Sequence, residues 1–290
     1  MLERARLALE GLSVGDAFGE QLLHAGPAAR AVAFEQRAAP FGRVWQWTDD
    51  TAMALSIVEV LATRGEIDPA ALAAAFARRY DLDSSRGYGA GAHRVLEMLC
   101  AGLPYQMAAG SLFDGQGSCG NGGGMRSAPI GAYFADDLER ASREAARSAA
   151  PTHAHADGIA GAVAVAATSA AVFAGERDAR ALLELAVERT PPGEVRDGLH
   201  RALGVIGSDP RTAAAMLGNG SRVLAADTVP FAIWCAATHL DDYAAALWSC
   251  VEVGGDIDTT CAMVGGIVVG AVGIAGIPGE WRAAREPLPI

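Results

Sequence analysis

Two short stretches of this chain set paired carboxylates beside hydroxyls. "WQWTDDTAMALSIVEVLA" carries Thr48, Asp49, Asp50 and Thr51 just ahead of an apolar run, and "GGDIDTTCAMVGGIV" repeats the arrangement with Asp256, Asp258, Thr259 and Thr260. Taken singly, either stretch is accounted for by helix capping, because Asp and Thr accept from first-turn amides and carboxylates suit the positive end of a helix. A cap needs one acceptor, however, and each stretch offers several. The second is wedged between a glycine pair and a run without charge from Cys261 to Ile277, so that run is expected to be buried, with its leading acids on the floor of a cleft. Grouped carboxylates of low exposure repel unless a cation neutralises them. All-oxygen ligands suit a hard ion, Mg²⁺, Mn²⁺ or Ca²⁺, rather than zinc. This requires the two stretches to meet in space. The "DD" pairs at Asp136-Asp137 and Asp241-Asp242 are expected to be solvated faces or caps.

A third acidic element, "GLSVGDAFGEQLL", places Glu20 four residues after Asp16 on one helical face. From these residues alone Asp16 is a helix N-cap and Glu20 a surface acid. "GNGGGMRSAPIG", from Gly120 to Gly131, is by itself a flexible loop. In company with the acids it becomes a candidate anion cradle, since glycines without Cβ let successive N–H groups converge on phosphate oxygens. Asn121 can take φ > 0 there or bond a ligand. Arg126 can lend charge to a ligand or pair with a core carboxylate. His153 and His155 lie between helical flanks with no strand to carry a zinc-binding pair, so one is expected to line the site and the other to cap a helix or be exposed. His24, His93, His200 and His239 give no functional signal.

The elements that must position these groups are helical. Apolar periodicity of the i, i+3, i+4 kind runs through 2–13, 51–63, 69–79, 90–100, 136–149, 179–188 and 242–252. "DPAALAAAFARRY" and "PPGEVRDGLHRAL" open on proline, as helices do. "RAVAFEQ" is the one weak strand candidate, and 81–91, 110–129 and 251–258 are loops. With 290 residues, 51 % of them hydrophobic, and no linker, repeat or shift of composition, we expect a single all-α domain over 1–290. A net charge of -11, with all 23 basic residues arginine, leaves no electrostatic footprint for nucleic acid. Five scattered cysteines form neither a disulfide framework nor a zinc pattern. "MLERARLALEG" has no apolar core and is not a signal peptide, so a cytoplasmic location is expected. The apolar segments Gly158 to Gly175 and Cys261 to Ile277 approach the minimum length for a bilayer span, about 17 residues. Their Ala and Gly content instead suits buried helices in close contact; we expect no membrane association and a monomer.

Together these motifs resemble the ADP-ribosyl glycohydrolase family. In chain order they are "GDAFG", "TDDT", "RGYGAG", "GNGGGMR", "THAHADG" and "GGDIDTT", spread over nearly the whole length. "RGYGAG", "SCGNGGGMR" and the closing "GIPGEW" resemble the branch that removes ADP-ribose from serine and degrades poly(ADP-ribose); the arginine-directed branch usually has an Asp-containing motif in place of "GYG". The resemblance implies a compact all-α bundle with two metal ions, usually Mg²⁺ with Mn²⁺ as an alternative, at the bottom of a cleft. Thr48, Asp49, Asp50, Asp256, Asp258 and Thr259 would be the ligands. Ser118, Gly120, Asn121 and Gly122 would cradle the diphosphate and distal ribose, and His153 with the Gly87-Tyr88-Gly89 backbone would touch the ADP-ribose. One departure stands out. The family commonly carries a glutamate on a mobile flap seven residues after the Asp of "GDA"; here that position is Leu23, and Glu20 lies about one turn earlier.

The implied chemistry is cleavage at the anomeric carbon of the distal ribose through an oxocarbenium-like transition state. Metal ions would hold the ribose hydroxyls and orient water, with Glu20 or the metal-bound Asp50 assisting proton transfer. The partner is then ADP-ribose or an ADP-ribosylated protein or small molecule. Leu23 sustains alternatives: a protein that binds ADP-ribose without turnover, an enzyme for a better leaving group such as ADP-ribose 1″-phosphate, or an unrelated metal-dependent phosphohydrolase.

Overall fold

The computed structural model describes residues 1–40 and 42–289. Helix boundaries follow local capping chemistry. Asp68 accepts from Ala70 N and Ala71 N ahead of Pro69, opening Pro69–Leu82, and Gly65 in the left-handed region closes Asp49–Arg64. Asp137 and Asp242 cap Leu138–Ala149 and Tyr243–Val253, and Asp136 pairs with Arg4 on the surface, as expected of those "DD" pairs. Among the described residues there is no strand, only two isolated bridges, Trp45 with Arg285 and Gly120 with Leu224. "RAVAFEQ" is helical, not a strand. Pro27 follows Gly26 at the helix start, Arg37 closes Pro27–Gln36 in a left-handed conformation, and no residue of that helix is buried.

The centre of the fold is the contact between two helices from opposite ends of the sequence, Leu2–Leu23 and Ile257–Val272. Their proximity has a simple cause. Gly11, Gly15 and Gly19 recur every four residues and form a bare stripe along the first helix. A Cβ at Gly15 would lie 2.2 Å from the Cys261 carbonyl oxygen, and one at Gly19 would lie 2.6 Å from the Asp258 Cα. The stripe therefore seats the acidic start of the second helix against the first. It also explains a difference from the sequence reading. Asp16 is no N-cap, because the first helix does not stop at residue 13: it runs unbroken to Leu23, with Asp16 in its middle and fully buried.

Gly15→Ala tests this packing through two opposed terms. The added methyl favours a helix interior by about 1 kcal/mol, whereas overpacking a filled contact costs about 3 kcal/mol. The variant is expected to unfold at lower urea, with about 2 kcal/mol lost. A midpoint above wild type would show that the helices are not in contact there.

The apolar helix Ala156–Ala174 packs against both the 257–272 helix and the Leu138–Ala149 helix. It is long and apolar enough to cross a membrane by length and composition, and 78 % of that span is buried inside the fold; its Ala-rich faces let neighbours approach closely. At the opposite edge the C-terminal segment returns to the site. Trp45 N donates to Ala284 O and Glu286 N to Trp45 O, both at 2.8 Å. Glu286 takes a bidentate pair from Arg86, whose guanidinium lies 3.6 Å over the Trp47 ring. That clamp fixes the chain on either side of Thr48.

Candidate active site

Asp16 organises the first acidic stretch. From the middle of the N-terminal helix its carboxylate accepts from Thr48 N at 2.9 Å, Thr48 Oγ1 at 2.9 Å, Thr51 N at 3.1 Å and Thr51 Oγ1 at 2.5 Å. It thus caps a helix other than its own and orients both threonines. Burial nevertheless pushes Asp16 up to about 7, with the Asp258 charge adding to it. Asp49 and Asp50 stand in the first turn of Asp49–Arg64, both buried, and both are held protonated well above the usual carboxylate range. Burial is the main cause. For Asp49 the next causes are the charges of Asp258, Asp16 and Asp256; for Asp50 they are Asp16, Asp49, Asp258 and Asp256.

Those couplings mean that the two stretches, some two hundred residues apart in sequence, share one low-dielectric site. Asp256 is pushed up to about 8 by burial, then by the charge of Asp258 and a hydrogen bond with it. Thr259 also bonds Asp256 and is buried. Two carboxylate oxygens in this centre, Asp50 Oδ1 and Asp258 Oδ1, are buried with no hydrogen-bond partner. Among the described residues no three His, Cys, Asp or Glu side chains converge into a ready-made metal cage. The centre is an open set of oxygen donors facing one another.

A cleft of about 520 Å³ opens above it, with Asp49, Asp256, Asp258 and Thr259 among its walls. That is the size range of small-molecule sites, about 300–1,000 Å³. On one side stands the Gly87-Tyr88-Gly89 turn. Gly87, at φ +85°, rests on the acids: a Cβ there would lie 3.8 Å from Asp49 Oδ1, and Asp49 N donates to Arg86 O at 2.7 Å. Gly87 and Gly89 border the cleft. The Tyr88 ring turns away into the core, edge-on to Tyr80 with centroids 5.1 Å apart, and Tyr88 does not border the cleft as its two glycine neighbours do.

The opposite wall is the stretch from Ser118 to Gly122. Its conformation differs from a left-handed nest. Gly120, Gly122, Gly123 and Gly124 all lie outside the positive-φ region, and Gly122–Met125 forms one helical turn inside the expected loop. Gly123 and Gly124 are glycine for packing reasons: a Cβ on Gly123 would lie 2.9 Å from Gly158 O, and one on Gly124 3.1 Å from Met263 Cε. Asn121 has φ −79° rather than a positive value, and its amide donates to Asp256 Oδ2 at 2.6 Å and to Thr228 Oγ1 at 3.1 Å. The glycine wall is thereby tied to the acidic floor. Ser118 Oγ accepts from Gly120 N at 3.2 Å.

His153 is buried but lines the cleft beside this wall, while His155 caps Ala156–Ala174 by accepting from Asp157 N at 3.1 Å. The pair divides as the flanking sequence led us to expect. Burial and then the nearby Arg126 charge lower His153 to about 3, so its ring is neutral. Arg126 pairs with no carboxylate; it is buried against Phe76, Thr152 and the Ser148 carbonyl. Glu20 is half-buried rather than a surface acid. Burial and the Asp258 charge raise its pKa, and His24 Nε2 lies 3.0 Å from its Oε1. Leu23, not Glu20, faces the cleft.

Several contributors escaped the sequence reading. Asp16 was placed but given the wrong job. Phe113 and Val223 stand at the cleft with left-handed backbones, φ 52° and 57°, and exposed side chains. No hydropathy pattern marks such residues, since their backbone conformation is set by the turns around them.

The fold is all-helical, with two acidic helix starts brought together beneath a glycine-lined cleft. The ADP-ribosylglycohydrolase family model matches residues 1–287, and the chain belongs to that family. Human ADP-ribosylhydrolase ARH3 is 29 % identical, covering 83 % of this chain and 74 % of its own. The ADP-ribosylarginine hydrolase Tri1 of Pseudomonas putida is 26 % identical, covering 97 % and 73 %. A solved ADP-ribosylglycohydrolase-related protein complex superposes with a TM-score of 0.69 at 26 % identity, over 98 % of this chain and 93 % of that one. Family and relatives together support an ADP-ribosyl glycohydrolase whose partners are ADP-ribosylated substrates.

Proposed function

We propose that the protein is a Mg²⁺-dependent hydrolase that cleaves the anomeric bond of O-linked ADP-ribose conjugates, with serine-ADP-ribose as the first substrate to test. The single observation that carries this is the shared centre of Asp49, Asp50, Asp256 and Asp258 at the floor of the cleft, next to the glycine wall. The O-linked preference is supported by the "GYG" turn and by the likeness to ARH3. Tri1, named for arginine conjugates, makes an arginine-linked peptide the control.

The donor set fits a hard divalent cation. Its donors are all oxygen, two of them buried and unpartnered, and the carboxylates repel one another in the metal-free state. Thr48, Asp49, Asp50, Asp256, Asp258 and Thr259 would hold two Mg²⁺ ions, Mn²⁺ being the alternative. Bound cations supply positive charge where the ribose hydroxyls and the attacking water gather. The chain's own residues do the rest. Asp16 holds Thr48 and Thr51 in place. Ser118, Gly120, Asn121 and Gly122 orient the diphosphate far from the bond being cut, so binding energy is used to align the anomeric carbon. Glu20 does not line the cleft; raised in pKa beside Asp258, which does, it would move a proton through one intervening water in place of the absent flap glutamate.

Release of ADP-ribose from a serine-ADP-ribosylated peptide is expected with Mg²⁺ and is expected to cease on chelation. Glu20→Gln should lower kcat about a hundredfold, the low end for loss of general acid–base assistance, with KM little changed. Full activity of that variant would remove Glu20 from the mechanism. Leu23 on the cleft wall favours a second reading, a protein that binds ADP-ribose without turnover. Tight binding with no release from serine, arginine or 1″-phosphate linkages would establish it.

A further inference from the structure

A buried cation stands beside the glycine wall, and among the described residues no carboxylate forms an ion pair with it. Arg126 is 1 % exposed. Its Cζ lies 4.6 Å over the Phe76 ring, and Nη1 lies 3.3 Å from Met53 Sδ. Nη2 donates to Ser148 O at 3.1 Å and to Thr152 Oγ1 at 2.8 Å. Thr152 is itself buried, and its Oγ1 lies 2.7 Å from His153 Nδ1 but 3.4 Å from Ala149 O.

These distances fix where protons sit. A guanidinium only donates, so the Thr152 oxygen accepts from Nη2. The hydroxyl has one proton to give, and the nearer acceptor is His153 Nδ1. Protonating Nδ1 instead would point an N–H dipole toward the guanidinium and leave the hydroxyl proton to the 3.4 Å contact. Nδ1 is therefore the acceptor and Nε2 carries the hydrogen. Nε2 faces the glycine wall, 3.9 Å from where a Cβ on Gly120 would stand and 3.7 Å from one on Gly122, and the ring hydrogen-bonds the Gly120 backbone, whose carbonyl accepts its N–H.

We propose that Arg126 and Thr152 are positioning residues: through one hydroxyl they hold His153 as its Nε2–H tautomer, so that the ring donates to the Gly120 backbone and fixes the glycine wall against which the ADP-ribose conjugate binds. The ligand part rests on the function proposed above; the tautomer does not. A ring in the other tautomer would turn a lone pair toward the Gly120 carbonyl oxygen and repel it. The buried cation thus acts on the glycine wall through the imidazole.

The test is ¹⁵N NMR of histidine-labelled protein, with His153 assigned from a His153→Gln spectrum, followed by calorimetric titration of ADP-ribose. Wild type is expected to show one tautomer, Nε2–H. Thr152→Val, which keeps the shape and removes the hydroxyl, is expected to show a mixture, and Thr152→Ser to restore the single form. ADP-ribose Kd should rise about tenfold in Thr152→Val, as the glycine wall loses a hydrogen bond that holds it, and return in Thr152→Ser. A purely structural Thr152 would leave the tautomer unmoved. Nδ1–H in wild type overturns the proposal with no variant needed, as does an unchanged single tautomer in Thr152→Val. The expected tautomer pattern without any ADP-ribose binding would uphold the positioning and count against the hydrolase reading alone.

Discussion

Asp50→Asn is expected to lower ADP-ribose release by about a thousandfold, because a metal centre stabilises developing charge by several kcal/mol and each 1.4 kcal/mol is a factor of ten. The same variant is expected to be more stable than wild type when free of metal. Asp50 is buried among Asp16, Asp49, Asp258 and Asp256, and one of its oxygens has no partner. Burial first, then those charges, hold it protonated far above the usual range. An asparagine has nearly the same shape, needs no proton to be neutral, and offers its amide hydrogens to neighbouring carboxylates. At pH 8 the variant should be the more stable of the two, because the wild-type fold retains a proton that its unfolded chain has released. The gain should shrink as pH falls and vanish only well below the unfolded carboxylate pKa of about 3.9, where both states of wild type are protonated at this position. Parallel thermal unfolding with a chelator and activity assays with Mg²⁺ read both halves. An inactive variant that is also less stable at pH 8 would mean that Asp50 holds the fold and not an ion.

The metal-free wild type is expected to lose stability as pH rises from about 6.5 to 8.5. Asp16 at about 7, Asp256 at about 8, and Asp49 and Asp50 well above 3.8 are all raised acids. The folded chain retains protons there that the unfolded chain has already released, so stability falls with pH, by up to about 1.4 kcal/mol per unit for each proton. This contribution is whole below the unfolded carboxylate pKa and is lost as pH climbs through the folded values. His153 acts oppositely. Its folded value of about 3 makes stability rise with pH until the unfolded imidazole is neutral, near pH 6.5; below that pH it offsets only one of the retained carboxyl protons, and above it the fall is unopposed. The exposed acids Asp68, Asp83, Asp136 and Asp209 have lowered pKa values and act at lower pH still. Saturating Mg²⁺ should flatten the fall, because a cation bound to ionised carboxylates couples to their deprotonation. A metal-free chain whose stability is flat or rising over this window would show that the carboxylates do not share one site.

Much of this centre could be read from residue order alone. Thr48-Asp49-Asp50 and Asp256 to Thr259 carry more acceptors than a helix end needs, and the structure brings them together. The His153 and His155 assignments followed from their helical flanks. What the sequence hid were relations across elements. Asp16 belongs to the middle of its own helix but serves the start of another, and local pattern sees only the first fact. Gly123 and Gly124 look like ligand-binding glycines, yet their missing side chains make room for Gly158 and Met263. The Asn121 amide gave no sign that it would bind the acidic floor rather than remain free for a ligand. In each case the deciding partner lies more than thirty residues away.

The Gly11-Gly15-Gly19 stripe also bears on how the protein is made. It mates residues 2–23 with residues 257–272, so the earlier helix meets its main partner only after the intervening chain has been translated. At about 5–20 residues per second that delay is on the order of tens of seconds. During it the nascent chain carries Asp16, Asp49 and Asp50 without Asp256 or Asp258, and so holds half of the acidic centre, with its glycine groove uncovered. The centre in this architecture is completed in one step, with the 257–272 helix.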